Sequence, residues 1–447
     1  MNNRFLERPR SFCALGGALQ TANALPRTVP IMHTAMGCGG SIFWNQIGST
    51  GYLGAGYCGG LAVPSSNVQE KDIVFGGAER LNEQVAHTVK LVEGDLYIVM
   101  TGCMTDIIGD DIQAVVKQFR QQGVAIIGAE TGGFKGDAYK GYDLILQALF
   151  KDFVTPKETK IKGKVNLWGV VPGQDAFWRG NLNQLRLLLN KLGLTVNTFF
   201  AEFDKLEEVK NAAEAELNIV VSQFYGTEAA RIFEEVHHVP FVTFPLPIGP
   251  SATSDFLRQI SAALQLDPEQ VQYIIAAEQK IYFQYIDRIA DAYNDLDMQR
   301  YAVVVGDSNY APALTRFLAD DLGWLPELTV ITEFEDEERK SKISGYLSHL
   351  TSRYPVDLIY ETDASEIQYH LSRKWPRFQG QRFYDSFSPA FVVGSHHERE
   401  LAKSLGAGHL TVTYPVGNRV VLSKGYTGFQ GGLALIEDLF SALVAER

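Results

Sequence analysis

The sequence has little cysteine, and none of it is spaced like a common small metal or redox motif. Only four of its 447 residues are cysteines. No Cys-x-x-Cys pair occurs, which disfavours a zinc ribbon or a thioredoxin-like site. All four lie in the first quarter of the chain and so do not form a disulfide framework. Clustered thiols favour a metal site or catalysis, although spacing alone is equally compatible with buried, inert thiols. The four are Cys13, Cys38, Cys58 and Cys103.

The sequence also lacks a basic block, an apolar leader and a long apolar run. Its 40 lysine and arginine residues are outnumbered by 52 aspartate and glutamate residues, which gives a net charge of −12. This balance argues against nucleic acid as the main partner. No hydrophobic signal segment follows Met1, and no apolar run is long enough to span a bilayer. We therefore expect a cytoplasmic protein with neither a nucleic-acid nor a membrane partner.

The length of the chain predicts two or three domains, because a single compact core rarely holds 447 residues. Apolar runs of strand length alternate with helical patterns in three successive series. This alternation predicts an α/β fold of three doubly wound, Rossmann-like domains with parallel sheets. A strand at 96–100, a helix at 112–122, a linker at 155–164 and a long helix at 267–300 belong to this prediction. The predicted domains are residues 1–157, 158–300 and 301–447.

Three of the cysteines occupy similar glycine-rich segments. Cys38 and Cys103 each follow a glycine, and Cys13 enters a run with two consecutive glycines. Cys103 also comes directly after the predicted strand 96–100, so we expect its thiol at the carboxyl edge of a sheet, where α/β proteins bind ligands. Glycine beside a thiol lets a bulky group approach the backbone. Three such thiols from three separate turns predict a shared metal cluster with soft thiolate ligands.

The segments around these cysteines resemble the β-type subunit of nitrogenase component 1. The most specific is the run from Cys103 through Met104-Thr105 to Asp110-Asp111. The order and spacing of the other segments are also similar to that family, and the resemblance covers nearly the whole chain. The other segments that carry it are residues 13–19, 37–38, 74–77, 245–249 and 425–432.

The resemblance implies an oxidoreductase subunit that holds half of an iron–sulfur P-cluster of the [8Fe-7S] type. Cys13, Cys38 and Cys103 match the three cluster ligands of the β subunit, and three more would come from an α-type partner. It further implies an α2β2 heterotetramer that receives electrons from a separate ATP-dependent iron protein. The active-site iron–sulfur cofactor is expected on the α-type partner, because residues 240–255 contain no cysteine and 414–417 no histidine.

One departure from the family bears on the substrate. Gly133 stands where the dinitrogen-reducing β subunits have a serine that ligates the oxidised P-cluster. The absence of this serine favours a nitrogenase-like reductase. The leading substrate is a methylthio-alkane, whose C–S bond would be reduced. A dinitrogen-reducing β subunit and a cofactor-assembly scaffold are the alternatives. Cys58 matches no family ligand, and it is interpreted as a free thiol or as an additional ligand.

Three carboxylates follow Cys103 and invite two interpretations. Asp106, Asp110 and Asp111 stand where a helix is predicted to begin. Carboxylates at that position complement the helix dipole and cap free backbone amides. Proton supply to a neighbouring site, or a metal site, is the alternative role.

Overall fold

The fold comes from a computed structural model, which describes residues 10–52, 63–295, 298–374 and 390–445; Cys58 lies outside these ranges. The chain divides into two compact units. One comprises the described residues of 11–243 and 420–422, and the other comprises the described residues of 1–10, 244–419 and 423–447. The predicted division into three domains stays a prediction.

The first unit contains two parallel sheets. The first sheet has the order β1-β2-β3, and the second has the order β5-β4-β6-β7. All neighbouring strands in both sheets run parallel. The strands are β1 Thr28–His33, β2 Leu96–Thr101, β3 Ile126–Ala129, β4 Ile161–Trp168, β5 Thr195–Asn197, β6 Ala215–Val220 and β7 Phe241–Thr243.

Ten α-helices of the first unit lie in its described residues. Amphipathic helices cover the sheets, as in α6, where Ile112, Val115, Val116 and Phe119 are buried at helical spacing. The helices are α1 Ala14–Ala24, α2 Met36–Ser49, α3 Glu70–Phe75, α4 Ala78–Leu91, α5 Cys103–Ile108, α6 Ile112–Gln121, α7 Ala138–Asp152, α8 Trp178–Lys191, α9 Leu206–Lys210 and α10 Thr227–His237.

The second unit contains one parallel sheet of five strands with the order β10-β9-β8-β11-β12. The strands are β8 Tyr301–Gly306, β9 Leu325–Ile331, β10 Asp357–Tyr360, β11 Ala390–Gly394 and β12 Gly408–Thr411. The helices are α11 Gly249–Leu264, α12 Pro268–Ile286, α13 Ala290–Asp295, α14 Tyr310–Arg316, α15 Glu337–Ser348, α16 Ala364–Lys374, α17 Arg399–Leu405 and α18 Gly428–Ala445.

These three parallel sheets confirm the predicted α/β class. Strand β2 and helix α6 lie where they were expected. The predicted linker 155–164 was wrong at its end, since β4 begins at Ile161. The long helix predicted from 267 to 300 was also wrong, because α12 ends at Ile286 and short helical segments follow.

Helix α18 is the one described helix that is long and apolar enough to cross a membrane by length and composition, with a mean hydropathy of 1.2. It packs against α11 and α12 within the second unit. Its Phe429, Leu435 and Leu439 are buried there. These contacts are those of a core helix.

Helices α1 and α7 cross with their backbones in direct contact. A Cβ atom on Gly17 would lie 1.9 Å from the carbonyl oxygen of Ala138, and one on Gly141 would lie 2.0 Å from that of Ala14. Both distances are far below a van der Waals contact, so only glycine fits at either position. This crossing fixes the start of α1, and with it Cys13, against the start of α7.

We expect Gly17→Ala or Gly141→Ala to lower the free energy of unfolding by about 3 kcal/mol or more, because either methyl group forces the two helices apart. Urea-induced unfolding measures the change. Gly345→Ala in α15 is the matched control, since a Cβ there meets no atom within 4 Å. That variant should gain about 0.5–1 kcal/mol from lower backbone entropy in the unfolded chain. Equal stability of all three variants would contradict the close crossing.

Candidate functional site

The carboxyl ends of β1 and β2 position Cys103. The two strands pair in register as far as His33 and Thr101. Beyond them, the Gly102 N–H donates to the His33 carbonyl oxygen at 2.9 Å. The Thr105 hydroxyl donates to that same oxygen at 2.7 Å. Cys103, the first residue of α5, is thereby held at the sheet edge, as the sequence predicted, and it is exposed.

Cys13 reaches the same place from a different part of the chain. It is the N-cap residue of α1 and forms an isolated antiparallel bridge with Asp137. The next amide, that of Ala14, donates to the Gly136 carbonyl oxygen at 2.9 Å. Cys13 is exposed, like Cys103.

Gly133 is the point at which these two thiols converge. A Cβ atom at this position would lie 3.1 Å from the Cys103 sulfur and 3.3 Å from the Cys13 sulfur. The Gly133 N–H donates to the Cys103 Sγ at 3.1 Å. The two thiols therefore face one point where the chain has no side chain.

Cys38 lies in the first turn of α2 and is half-buried. Its N–H donates to the Ala35 carbonyl oxygen at 3.3 Å. In the part of the chain that the structure describes, no group of three or more His, Cys, Asp or Glu side chains is arranged to hold a metal ion. The structure thus brings Cys13 and Cys103 together, and a common site for all three cysteines stays a prediction. The three lie at helix starts rather than in three turns.

The three carboxylates after Cys103 have three different roles, and only one matches the helix-capping interpretation. Asp111 caps α6 by accepting the Ala114 N–H at 3.0 Å. Asp106 and Asp110 instead reach other segments. The Asp106 carboxylate accepts the Gly132 N–H at 3.0 Å, whereas Asp110 accepts the Gly77 N–H at 2.8 Å.

A buried histidine that sequence reasoning missed ends β1 and pairs with one of the three carboxylates. The side chain of His33 has no exposed surface. Its Nε2 is 2.9 Å from the Asp110 carboxylate and its Nδ1 is 2.9 Å from the Ser66 hydroxyl. Burial lowers the pKa of His33, and the hydrogen bond to Asp110 opposes that shift. The available signal was its position at the end of an apolar run, residues 29–32.

Large exposed apolar side chains lie on the thiol-bearing helices α2 and α5, on α3 and next to Gly133. The most exposed one, Phe75, ends α3 and is 88% exposed. Helix α3 contacts α5, which begins with Cys103. We call this set the apolar rim; it consists of Met36, Val74, Phe75, Ile107 and Phe134.

Parallel α/β sheets with two thiols converging at a sheet edge define a class of protein equipped to hold a thiolate-bound group. A family model described as nitrogenase component 1 type oxidoreductase matches residues 13–444. The chain therefore belongs to this family, and it is an oxidoreductase subunit.

The relatives include nitrogenase β chains. The chain is 26% identical to the nitrogenase molybdenum-iron protein beta chain of Bradyrhizobium diazoefficiens over 342 residues, which cover 70% of this chain and 62% of that one. Identity to the corresponding beta chain of Sinorhizobium fredii is 24% over 478 residues, covering 97% and 83%. These similarities support assignment to the β-type subunits.

An assembly protein and a solved structure are also similar. Identity to the nitrogenase iron-molybdenum cofactor biosynthesis protein NifE of Methanococcus maripaludis is 28% over 264 residues, 56% of this chain and 51% of that protein. The solved structure "Nitrogenase Cp1 at pH 6.5" superposes with a TM-score of 0.79 at 18% identity, covering 100% of this chain and 95% of that one. The superposition confirms the fold.

The environment of His33 predicts acid sensitivity. Because burial lowers its pKa below the ordinary 6.5, the unfolded chain takes up a proton at higher pH than the folded chain. The free energy of unfolding should therefore fall as the pH drops below about 6.5. His33→Gln should weaken this dependence and cost about 1–3 kcal/mol at pH 7.5, since the buried Asp110 carboxylate loses its hydrogen bond to the imidazole.

Urea-induced unfolding at pH 7.5 and pH 5.5 tests this expectation. The matched control is His87→Gln, at an exposed position in α4. A His33→Gln variant with the same loss of stability between the two pH values as the wild type would show that His33 is not responsible.

Proposed function

We propose that this chain is the β-type subunit of a nitrogenase-like, ATP-dependent reductase and holds half of an iron–sulfur cluster of the P-cluster type. Cys13, Cys38 and Cys103 would be its ligands. When bound, such a cluster stores electrons and passes them on. Electrons would come from an ATP-dependent iron protein and leave for the cofactor of an α-type subunit. We place the complex in the cytoplasm.

The observation that carries the proposal is the convergence of the Cys13 and Cys103 thiols at Gly133. Thiolates are the preferred ligands of iron–sulfur clusters. Both thiols are exposed, so each is accessible to a metal. The Gly133 amide supplies a hydrogen-bond donor to the Cys103 sulfur, which stabilises negative charge on a ligand atom. The residues present therefore fit an iron–sulfur group.

The surroundings of the thiols support a heteromeric complex. Two or three thiolates from one chain leave a large cluster with open positions, which an α-type subunit would fill. The apolar rim would be covered in such a complex, as in obligate interfaces, which typically bury more than about 2,000 Å². An α2β2 heterotetramer to which the iron protein binds separately is the assembly that we propose.

Gly133 supports the substrate proposal. Any side chain at this position would lie against both thiols, because a Cβ atom alone comes within 3.3 Å of each sulfur. Glycine supplies no oxygen there, so the serine ligand expected of a dinitrogen-reducing β subunit is missing. We therefore propose a methylthio-alkane substrate whose C–S bond is reduced on the partner subunit.

Two other functions are equally compatible with the sequence similarities to known proteins. A dinitrogen-reducing complex fits the similarity to the molybdenum-iron protein beta chains. A cofactor-assembly scaffold fits the similarity to NifE. The two converging thiols favour a subunit that keeps a permanent cluster, and the missing serine disfavours the reduction of dinitrogen.

Replacing any one of Cys13, Cys38 and Cys103 by Ala should lower the iron content of the complex and abolish the paramagnetic signal of its cluster, because each thiolate binds iron. The complex is co-expressed with its α-type partner and purified anaerobically for iron and sulfide analysis. Cys58→Ala is the matched control and should retain full iron. Full iron in all three test variants would rule out these ligands.

The purified complex should release hydrocarbon and thiol from methylthio-alkanes faster than it forms ammonia from dinitrogen. Each substrate is supplied with the iron protein, ATP and a low-potential reductant, and the products are quantified. Omitting ATP is the control. Ammonia as the dominant product would replace the substrate proposal with a dinitrogen-reducing function, and turnover of neither substrate would favour the scaffold.

A further inference from the structure

Asp106 forms a link between helix α5 and a distant turn of the chain. Its side chain is only 5% exposed. One carboxylate oxygen, Oδ2, accepts the Gly132 N–H at 3.0 Å and lies 3.2 Å from the Lys135 ammonium. Lys135 also pairs with Glu130 at 2.7 Å. The buried Asp106 carboxylate thus binds both ends of the turn of residues 132–135: the backbone amide of Gly132 and the side chain of Lys135.

The turn that Asp106 holds is the one that contacts the Cys103 sulfur. Cys103 and Asp106 stand three residues apart on α5, so both groups come from one helical turn. They bind successive amides of the turn: Gly132 N–H donates to Asp106 and Gly133 N–H donates to Cys103. Fixing the first of these two amides also fixes the second.

The Asp106 carboxylate lies close against the turn at Gly132. A Cβ atom there would lie 2.4 Å from the Asp106 carboxylate oxygen. The carboxylate makes no capping bond to α5, whose N-cap residue Gly102 has its N–H bonded to Thr105. The buried charge of Asp106 therefore acts on the turn rather than on its own helix.

We propose that Asp106 is a positioning residue that keeps the Gly133 amide on the Cys103 sulfur and thereby raises the reduction potential of the group that Cys103 holds. Hydrogen bonds to ligand sulfurs draw charge from them, and this stabilises the reduced state. The inference rests on the proposed function, in which Cys103 is an iron ligand.

Two substitutions separate the hydrogen bond from the charge. Asp106→Asn removes the negative charge and keeps an oxygen that accepts the Gly132 N–H. Asp106→Ala removes both. Loss of a nearby negative charge raises a reduction potential, whereas loss of a donor to sulfur lowers it. The difference between the two variants therefore isolates the hydrogen bond.

The experiment measures the midpoint potential of the cluster in the purified complex by redox titration with paramagnetic resonance. We expect the alanine variant to lie below the asparagine variant by at least a tenfold shift in the one-electron equilibrium, about 59 mV. The midpoint potential of the wild type should not exceed that of the asparagine variant, because the wild type keeps the negative charge of Asp106. Asp111→Ala, which removes a carboxylate that caps α6, is the control and should leave the midpoint unchanged.

Amide hydrogen exchange on the same preparations provides a second readout that needs no cluster. The Gly132 and Gly133 amides should exchange faster in Asp106→Ala than in Asp106→Asn. Equal midpoints for these two iron-containing variants would overturn the proposal. If the alanine variant binds no iron, exchange decides, and equal protection of Gly133 overturns it.

Iron analysis of the wild-type complex distinguishes a failure of the Asp106 proposal from a failure of the proposed function. A wild-type complex without iron would refute the cluster proposal itself, and with it the inferred effect on a potential. A wild type with full iron and equal alanine and asparagine midpoints would refute only the role of Asp106.

Discussion

The direct backbone contact of helices α1 and α7 is the constraint on which the thiol pair depends. Gly17 and Gly141 lie where no other residue fits, and each faces a carbonyl oxygen of the opposite helix. The crossing sets the N-terminus of α1 beside that of α7, so Cys13 pairs with Asp137. The turn that contains Gly133 directly precedes α7 in the chain. A wider crossing would move Cys13 away from this turn and separate the two thiols.

A second constraint is the parallel register of β1 and β2. It brings His33 level with Thr101, and hydrogen bonds to the His33 carbonyl oxygen then fix Gly102 and Thr105 on either side of Cys103. Each thiol therefore depends on a different kind of packing, helix against helix for Cys13 and strand beside strand for Cys103. Their convergence requires both elements of the fold to be intact.

Much of the architecture was predictable, because strong periodicity survives in the sequence. Strand β2 is fully buried, so its apolar run is continuous, and α6 buries one face at helical spacing. Helices α1 and α2 were not predicted, since glycine-rich sequences have low helix propensity. In α1, tertiary contact overrides that propensity, because the glycines allow the crossing with α7. This stabilising contact cannot be predicted until the partner helix is known.

The candidate site was predictable only in part, because contacts between distant segments are not visible in the sequence. The sequence singled out Cys13, Cys103 and Gly133 through local or motif-based features, and the structure brings these three together, while their role in a cluster stays a prediction. It did not identify His33, and for Asp106 and Asp110 it offered helix capping or a role in proton supply or metal binding. Their actual partners, Gly132 and Gly77, are 26 and 33 positions away in the chain. Pairings over such distances are determined by the fold and leave no local pattern.

The arrangement around Cys103 would exert two opposing influences on the cluster that we propose this residue holds. Asp106 lies on α5 and Asp110 follows it, so both place buried negative charge near Cys103, and negative charge disfavours the addition of an electron. The Gly133 N–H would compensate negative charge on the Cys103 sulfur itself. Because Asp106 both carries charge and holds that amide in place, it contributes to both influences. Under the proposed function, the charge of Asp106 would lower the potential of the cluster and the amide that it positions would raise it, so one carboxylate acts on the potential in both directions.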